Sequence, residues 1–249
     1  MSLIVGRCQA PESSAALVAN AFGLFLDRPQ DLPPMPGTED FGWPAQSVKL
    51  EACVRFPWAG GRHPWLDVLV ETDTHLIGVE SKRFEPFRPR KRSLLSDAYW
   101  RIVWGDDMAP VESVRDALRR GDPDLDALDA TQLVKHMFGL RSESHRRKPV
   151  KSAVLVYLYC EPSHWPDGRA IGLEQRNLHA KSLESFAAGV AGAEIAFRSA
   201  TYKGLLESWC AVQRRNQITR RCSPAEICAP VMRISVPKPS VESRRAILA

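Results

Sequence analysis

The sequence predicts an α/β domain: a central mixed sheet that starts with an antiparallel meander and is flanked by helices. Three observations predict it. Three segments between residues 47 and 83 carry strand patterns and are joined by short polar links. Beyond them, segments of helical period alternate with short apolar runs, the order expected of helices laid on a sheet. The 249 residues, 44% of them hydrophobic, are also enough to bury one substantial core. We divide the chain into this α/β domain over 1–215 and a basic, Pro-containing tail over 216–249.

Taken in order, "PESSAALVANAFGLFL" reads as a helix, with Ser13 and Ser14 able to cap its start and Leu17, Ala21, Leu24 and Phe25 forming an apolar stripe. The Pro-rich "DRPQDLPPMPGTEDFG" is a surface connection. "SVKLEACVRFPW" alternates, placing Val48, Leu50, Ala52, Val54 and Phe56 on one face and Lys49, Glu51, Cys53 and Arg55 on the other. After a turn at "AGGRHP", a second strand, "WLDVLVE", sets Asp67 opposite the face of Leu66, Val68 and Val70. A third, "HLIGVESKR", follows the link "TDT" and completes the meander.

Beyond a basic loop, "LLSDAYWRIVW", "VESVRDALRR" and "ATQLVKHMFGL" have helical spacing. "SAVLVYLYC" is a continuous apolar run, as expected of a strand covered on both faces. The helices "LEQRNLHAKSLESFAAGV" and "TYKGLLESWCAVQRRN" enclose the short strand "AEIAFRS". The tail after Cys222 has no period and four prolines; it reads as a terminal strand, a partner-binding arm or disorder.

Composition narrows the class. No run of about 18 apolar residues is present, so no membrane span is expected. The start lacks a basic region followed by an apolar one, so the expected location is the cytoplasm. Six cysteines without a CxxC pair read as free thiols; Cys210, Cys222 and Cys228 cluster loosely, with no histidine at zinc-ligand spacing. The net charge of +5 suits a polyanionic partner. Its distribution says more: "RFEPFRPRKR" holds five basic residues (Arg83, Arg88, Arg90, Lys91 and Arg92) against one acid, and "HRRK" at 145–148 is a second cluster. From Arg214 onward eight basic residues face only two acids. The plain alternative is solvated loops and a loose tail.

The chemistry concentrates in "LDVLVETDTHLIGVESK", where Asp67, Glu80 and Lys82 interrupt two apolar strands. An unpaired charge in such surroundings costs several kcal/mol, on the order of 3–5. Glu80 and Lys82, two apart, share a strand face, and antiparallel pairing brings Asp67 beside Glu80. Two carboxylates that close retain a proton unless a cation lies between them. Mg²⁺ suits that place, because it accepts one or two carboxylates and keeps waters.

An acid on one strand, followed about a dozen residues later by E-x-K ending the next, resembles the PD-(D/E)XK nuclease superfamily and its restriction-endonuclease-like core. Here the elements are Asp67 and "ESK" at 80–82, and the likeness runs from about residue 12 to about 200. "SSAALVANAF" and "QLVKHMFGL…VLVYLY" are also similar to segments of little-characterised bacterial proteins assigned as restriction endonucleases. The proline of the family name is missing before the acid: Leu66 precedes Asp67, and Pro64 stands further back.

The resemblance implies a divalent-metal-dependent endonuclease acting on DNA. Asp67, Glu80 and the Ser81 carbonyl would hold Mg²⁺ or Mn²⁺, and Lys82 would orient or help deprotonate the attacking water and offset transition-state charge. Glu51 and Glu12 are accessory carboxylates, Gln132 resembles a glutamine that some members bring near the site, and the basic loop would meet the nucleic acid. Double-strand cutting by a chain with one site would imply a homodimer, although no heptad marks an interface. Plainer readings stand beside these. Lys82 with Glu80 or Asp67 can be a structural ion pair, Glu51 a solvated strand residue, Glu12 a charge complementing a helix N-terminus and Gln132 a surface residue. His63, His75 and His136 read as turn or surface residues, with His63 the one able to meet a phosphate. A nucleic-acid-binding protein that keeps the nuclease fold without turnover is the alternative function.

Overall fold

Strand alternation divides the apolar side chains of this chain between two cores, one on each face of a single sheet. The computed structural model describes residues 13–58, 62–89, 94–102, 104–125 and 127–216, with side chains through 212. Helix α1 (Ser14–Phe22) precedes β1 (Ser47–Cys53), β2 (Trp65–Glu71) and β3 (His75–Lys82). Then come α2 (Ala109–Arg120), α3 (Ala130–His145), β4 (Ser152–Tyr159), α4 (Leu173–Gly189), β5 (Ile195–Thr201) and α5 (Tyr202–Asn216).

The five strands lie in the order β1-β2-β3-β4-β5. The first three pair antiparallel, as their short links require, and β3, β4 and β5 pair parallel through helical crossovers. The sheet is therefore mixed and flanked by helices, as the sequence pattern implies. On one face Leu76, Leu155 and Tyr157 pack with Val111 and Val114 of α2, Leu133, Met137 and Leu140 of α3 and Phe186 of α4. On the other, Val70, Ile77, Val79 and Val156 pack with Leu17 and Phe22 of α1 and Leu205 and Trp209 of α5. Strand β4 is buried on both faces, which explains its unbroken apolar run.

Two expectations need correction. The alternation over 48–56 does not keep one face: Val48 joins the α1/α5 core, whereas Ala52, Val54 and Phe56 join the α2/α3/α4 core. Likewise Leu66 lies in the latter and Val68 and Val70 in the former. The reversal falls at Glu51, whose φ of +46° is a left-handed conformation that side chains other than glycine rarely adopt. Such a residue rotates its strand about the axis, and β2, paired on both sides of the step, turns with it. The ladder runs Leu50↔Val68 and resumes at Ala52↔Leu66, with the Glu51–Asp67 step missing.

The second correction concerns "LLSDAYWRIVW", whose described residues form only a 3₁₀ turn at Asp97–Trp100. Its aromatic residues bury in different directions: Tyr99 packs edge-on to Phe56, while the Trp100 indole bonds Asp116 and lies under Arg119. Aromatic and β-branched residues also favour a helix little. The first strand ends at Cys53 and does not reach Trp58. The tail from 217 lies outside the described residues, as do Cys8, Cys222 and Cys228; Cys53 is a free thiol. No described helix is long and apolar enough to cross a membrane.

Candidate active site

The site forms where β2 parts from β3. Their ladder ends at Val68↔Val79, and beyond it β3 continues to Lys82 paired with β4 alone. Ser81 N–H donates to Asp67 Oδ2 at 2.7 Å, so the carboxylate occupies the place of a ladder carbonyl. Asp67 thereby lies beside Glu80 even though the two strands no longer pair there.

Helix α3 covers this end of β3. Two glycines bring helix and sheet close: a Cβ on Gly78 would meet Leu140 Cδ1 at 2.8 Å, and one on Gly139 would meet Val54 Cγ2 at 2.6 Å. The helix then runs back along the strand, with Leu140 over Gly78, His136 beside Glu80 and Gln132 on Lys82. Four residues of helix rise about 6 Å and two of strand about 6.7 Å, so the contacts keep step.

Both Glu80 and Lys82 project to this face, and Ser81 projects to the other, where its hydroxyl bonds the Tyr202 hydroxyl at 2.7 Å. The Lys82 ammonium donates to Glu80 Oε1, and to Gln132 Oε1 at 2.9 Å. His136 Nδ1 is 3.3 Å from Glu80 Oε2 but out of line for a hydrogen bond. Both atoms are buried with no hydrogen-bond partner among the described residues. Asp129 caps α3 by accepting from Gln132 N–H at 3.2 Å.

These positions set the charge states. Burial, with Glu80 nearby, raises the Asp67 carboxyl to about 7 despite the Ser81 bond. Burial also raises Glu80 against the pull of Lys82. Burial opposes the Lys82 charge as well, but Glu80 outweighs it and keeps the ammonium protonated. Burial and the Lys82 charge lower His136 to about 3, so its imidazole is neutral. Carboxyls this reluctant to ionise mark a place that favours a cation.

A cleft of about 620 Å³ opens beside this cluster, lined by Asp67, Glu51, Gln132, Asp129 and His136 among others. A divalent ion fits the donors on two observations: Glu80 Oε2 is buried with no hydrogen-bond partner among the described residues, and burial together with Glu80 holds the Asp67 carboxyl well above its ordinary range, a cost that a cation beside it would offset. Two carboxylates suit a hard ion that keeps its waters. Among the described residues no group of three or more His, Cys, Asp or Glu is placed to hold a metal.

The structure thus brings together Asp67, Glu80, Lys82 and Gln132, with Glu51 on the same cleft. The plain reading of Gln132 as a surface residue does not hold. His136, read as turn or surface, is 1% exposed against Glu80, because it shares with Gln132 and Gly139 the helix face turned to the sheet. The spacing 132, 136, 139 and 140 was the signal for it. Asp129 was missed too; its helix-capping position was legible, but its nearness to β3 was not. His63 lines the cleft and its Nδ1 accepts from Phe56 N–H at 3.1 Å, whereas His75 stacks on Phe41.

Of the basic loop, Arg83 lies over Phe84 and Arg88 over Trp165, and neither lines the cleft. Arg90, Lys91, Arg92 and Glu12 lie outside the described residues. No family model, curated protein or solved structure matches this chain.

Proposed function

We propose that this chain is a cytoplasmic, divalent-metal-dependent nuclease that hydrolyses phosphodiester bonds of DNA, with the restriction-endonuclease-like core of the PD-(D/E)XK superfamily. The observation that carries the reading is the meeting of Asp67, Glu80 and Lys82 at the parted end of β2 and β3, beside an open cleft. Its expected role is in restriction or defence, and double-strand cutting would call for a homodimer.

Asp67 and Glu80 would hold Mg²⁺ or Mn²⁺, with the Ser81 carbonyl as the further ligand that the resemblance implies. When bound, the ion supplies Lewis-acid charge at a phosphodiester oxygen and a water of lowered pKa. The rest falls to the chain. Asp67 is fixed by the Ser81 N–H, and Glu80 is fixed on Oε1 by Lys82, while its buried Oε2 faces His136 Nδ1 and has no hydrogen-bond partner among the described residues. Lys82, protonated and aligned by Gln132, offsets negative charge that grows on the phosphoryl group. Its proton is held firmly, so countering charge suits it better than drawing a proton from water. Neutral His136 closes the buried side of Glu80 without adding a competing charge.

A second reading is a nucleic-acid-binding protein that keeps this arrangement without turnover. One observation favours it: Glu80 is only 1% exposed and already engaged by Lys82. Plasmid cleavage with Mg²⁺ or Mn²⁺ separates the two. We expect Asp67→Ala and Lys82→Ala to lose at least about a hundredfold in rate, in line with removal of a preorganised charge. Equal cutting by both variants and the parent overturns the assignment. Salt-sensitive DNA binding with no cleavage by the parent supports the second reading.

A further inference from the structure

Two residues before Asp67 on β2, Trp65 is 59% exposed, although tryptophan is normally drawn into a core. Its indole meets no other aromatic ring among the described residues, and it lines the same cleft as Asp67 and Gln132. Arg62 and Lys135 line that cleft too. Arg62 is exposed and Lys135 half-buried, and neither has an ion-pair partner among the described residues. Burial draws the Lys135 ammonium below its usual range even though Asp129 on the same cleft pulls the other way, so a further anion there would restore what desolvation costs it.

The cleft therefore offers an aromatic face, two cations with no ion-pair partner among the described residues, and the carboxylates Asp67, Glu51 and Asp129. Inside a duplex both faces of every base are covered by neighbouring bases. An indole can stack only on a base that has left the stack, in a single strand, a flap or a frayed end. A volume of about 620 Å³ is also that of a pocket for one small ligand.

We infer that this cleft takes an unpaired nucleotide of single-stranded DNA, its base stacked on Trp65 and its phosphate between Arg62 and Lys135. The inference rests on the nuclease reading for what then happens at Asp67; binding itself needs no metal chemistry. The substrate would be a single strand or a junction with unpaired nucleotides, and blunt duplex would be a poor one.

Binding is measured on the full chain with EDTA present, by anisotropy of a fluorescein-labelled single strand and of a blunt duplex of the same sequence. The wild type is expected to bind the strand about tenfold more tightly than the duplex. Trp65→Ala should lose about tenfold on the strand, the cost of one base–aromatic stack, while Trp65→Phe keeps most of the affinity. Arg62→Ala should weaken strand binding and reduce its salt slope by about 0.7. Wild-type preference for duplex, no wild-type binding, or unchanged affinity of Trp65→Ala each overturns the inference. The nuclease reading fails separately, if Mg²⁺ and Mn²⁺ yield no cleavage of either DNA while strand binding persists.

Discussion

Asp67 is a carboxylate caught between two strands that have stopped pairing, and its neighbours decide its charge. Its one strong donor is the Ser81 N–H, while burial and Glu80 work against ionisation. The folded state thus prefers the protonated form, with a pKa of about 7 against the ordinary 3.8. Below pH 4 the group is neutral in both folded and unfolded chains and has no effect on the balance. As pH rises from about 4 to about 7 the unfolded chain ionises first, so the metal-free fold loses stability by a few kcal/mol, on the order of 4. Asp67→Asn removes this contribution. Urea unfolding in EDTA should therefore show the variant gaining on the parent across that window and level above it; a constant difference would mean that Asp67 ionises normally. His136 titrates in both proteins and cancels from the comparison. Glu51, opposite Asp67, keeps a left-handed backbone that costs about 1–3 kcal/mol, and such strain is commonly found where a site needs an unusual chain path.

Among the elements, α3 does most to assemble the site. It is seated by Gly78 and Gly139, which let helix and sheet approach more closely than any Cβ would allow. Gly139→Ala gains up to about 1 kcal/mol of helix propensity. Against this, it forces a contact of 2.6 Å with Val54, and overpacking costs about 1–3 kcal/mol. The expected net result is a lower thermal midpoint, by a few degrees. Because any shift of α3 carries Gln132 off Lys82, cleavage should fall more than the loss of stability explains. A midpoint at or above the parent's would show that the helix accommodates the methyl and that the glycine does not set its seat. Half of this element's role was legible. The pattern gave the helix, and the resemblance named Gln132, but nothing in "ATQLVKHMFGL" tells which strand residues its inner face will meet.

Across the whole molecule, positive charge is distributed differently from its pattern in the sequence. Three of the four residues of the cluster at 145–148 are engaged within the fold. Arg146 donates to the carbonyls of Arg55 and Phe56, Arg147 bridges Glu71 and Glu143, and His145 pairs with Glu194. Arg146 and Arg147 tie the end of α3 to the meander, His145 ties it to the segment before β5, and all three are poorly placed for a nucleic acid. The cleft cations Arg62 and Lys135, which have no ion-pair partner among the described residues, stood in no cluster at all. Two cores on opposite faces hold the sheet, so a ligand of Asp67 and Glu80 would stabilise an assembly in which both faces take part. On the proposed reading, Mg²⁺ at a hundred times its dissociation constant would add about 2.7 kcal/mol. In a chain of this size that raises the thermal midpoint by about 5–10 °C. Asp67→Ala should abolish the rise, and an equal rise in parent and variant would place the ion elsewhere.

The sequence alone determined most of the elements and the antiparallel meander, because apolar period and short polar links are local properties of the chain. It also put Glu80 and Lys82 on one strand face, since two residues along a strand always share a side. Only the tertiary structure decided where that face looks and what meets it. The left-handed turn at Glu51, the parting of β2 from β3, the burial of His136 and the cleft beside Trp65 all arise from pairing and packing between segments far apart in the chain. No periodicity within one segment records the close approach of another.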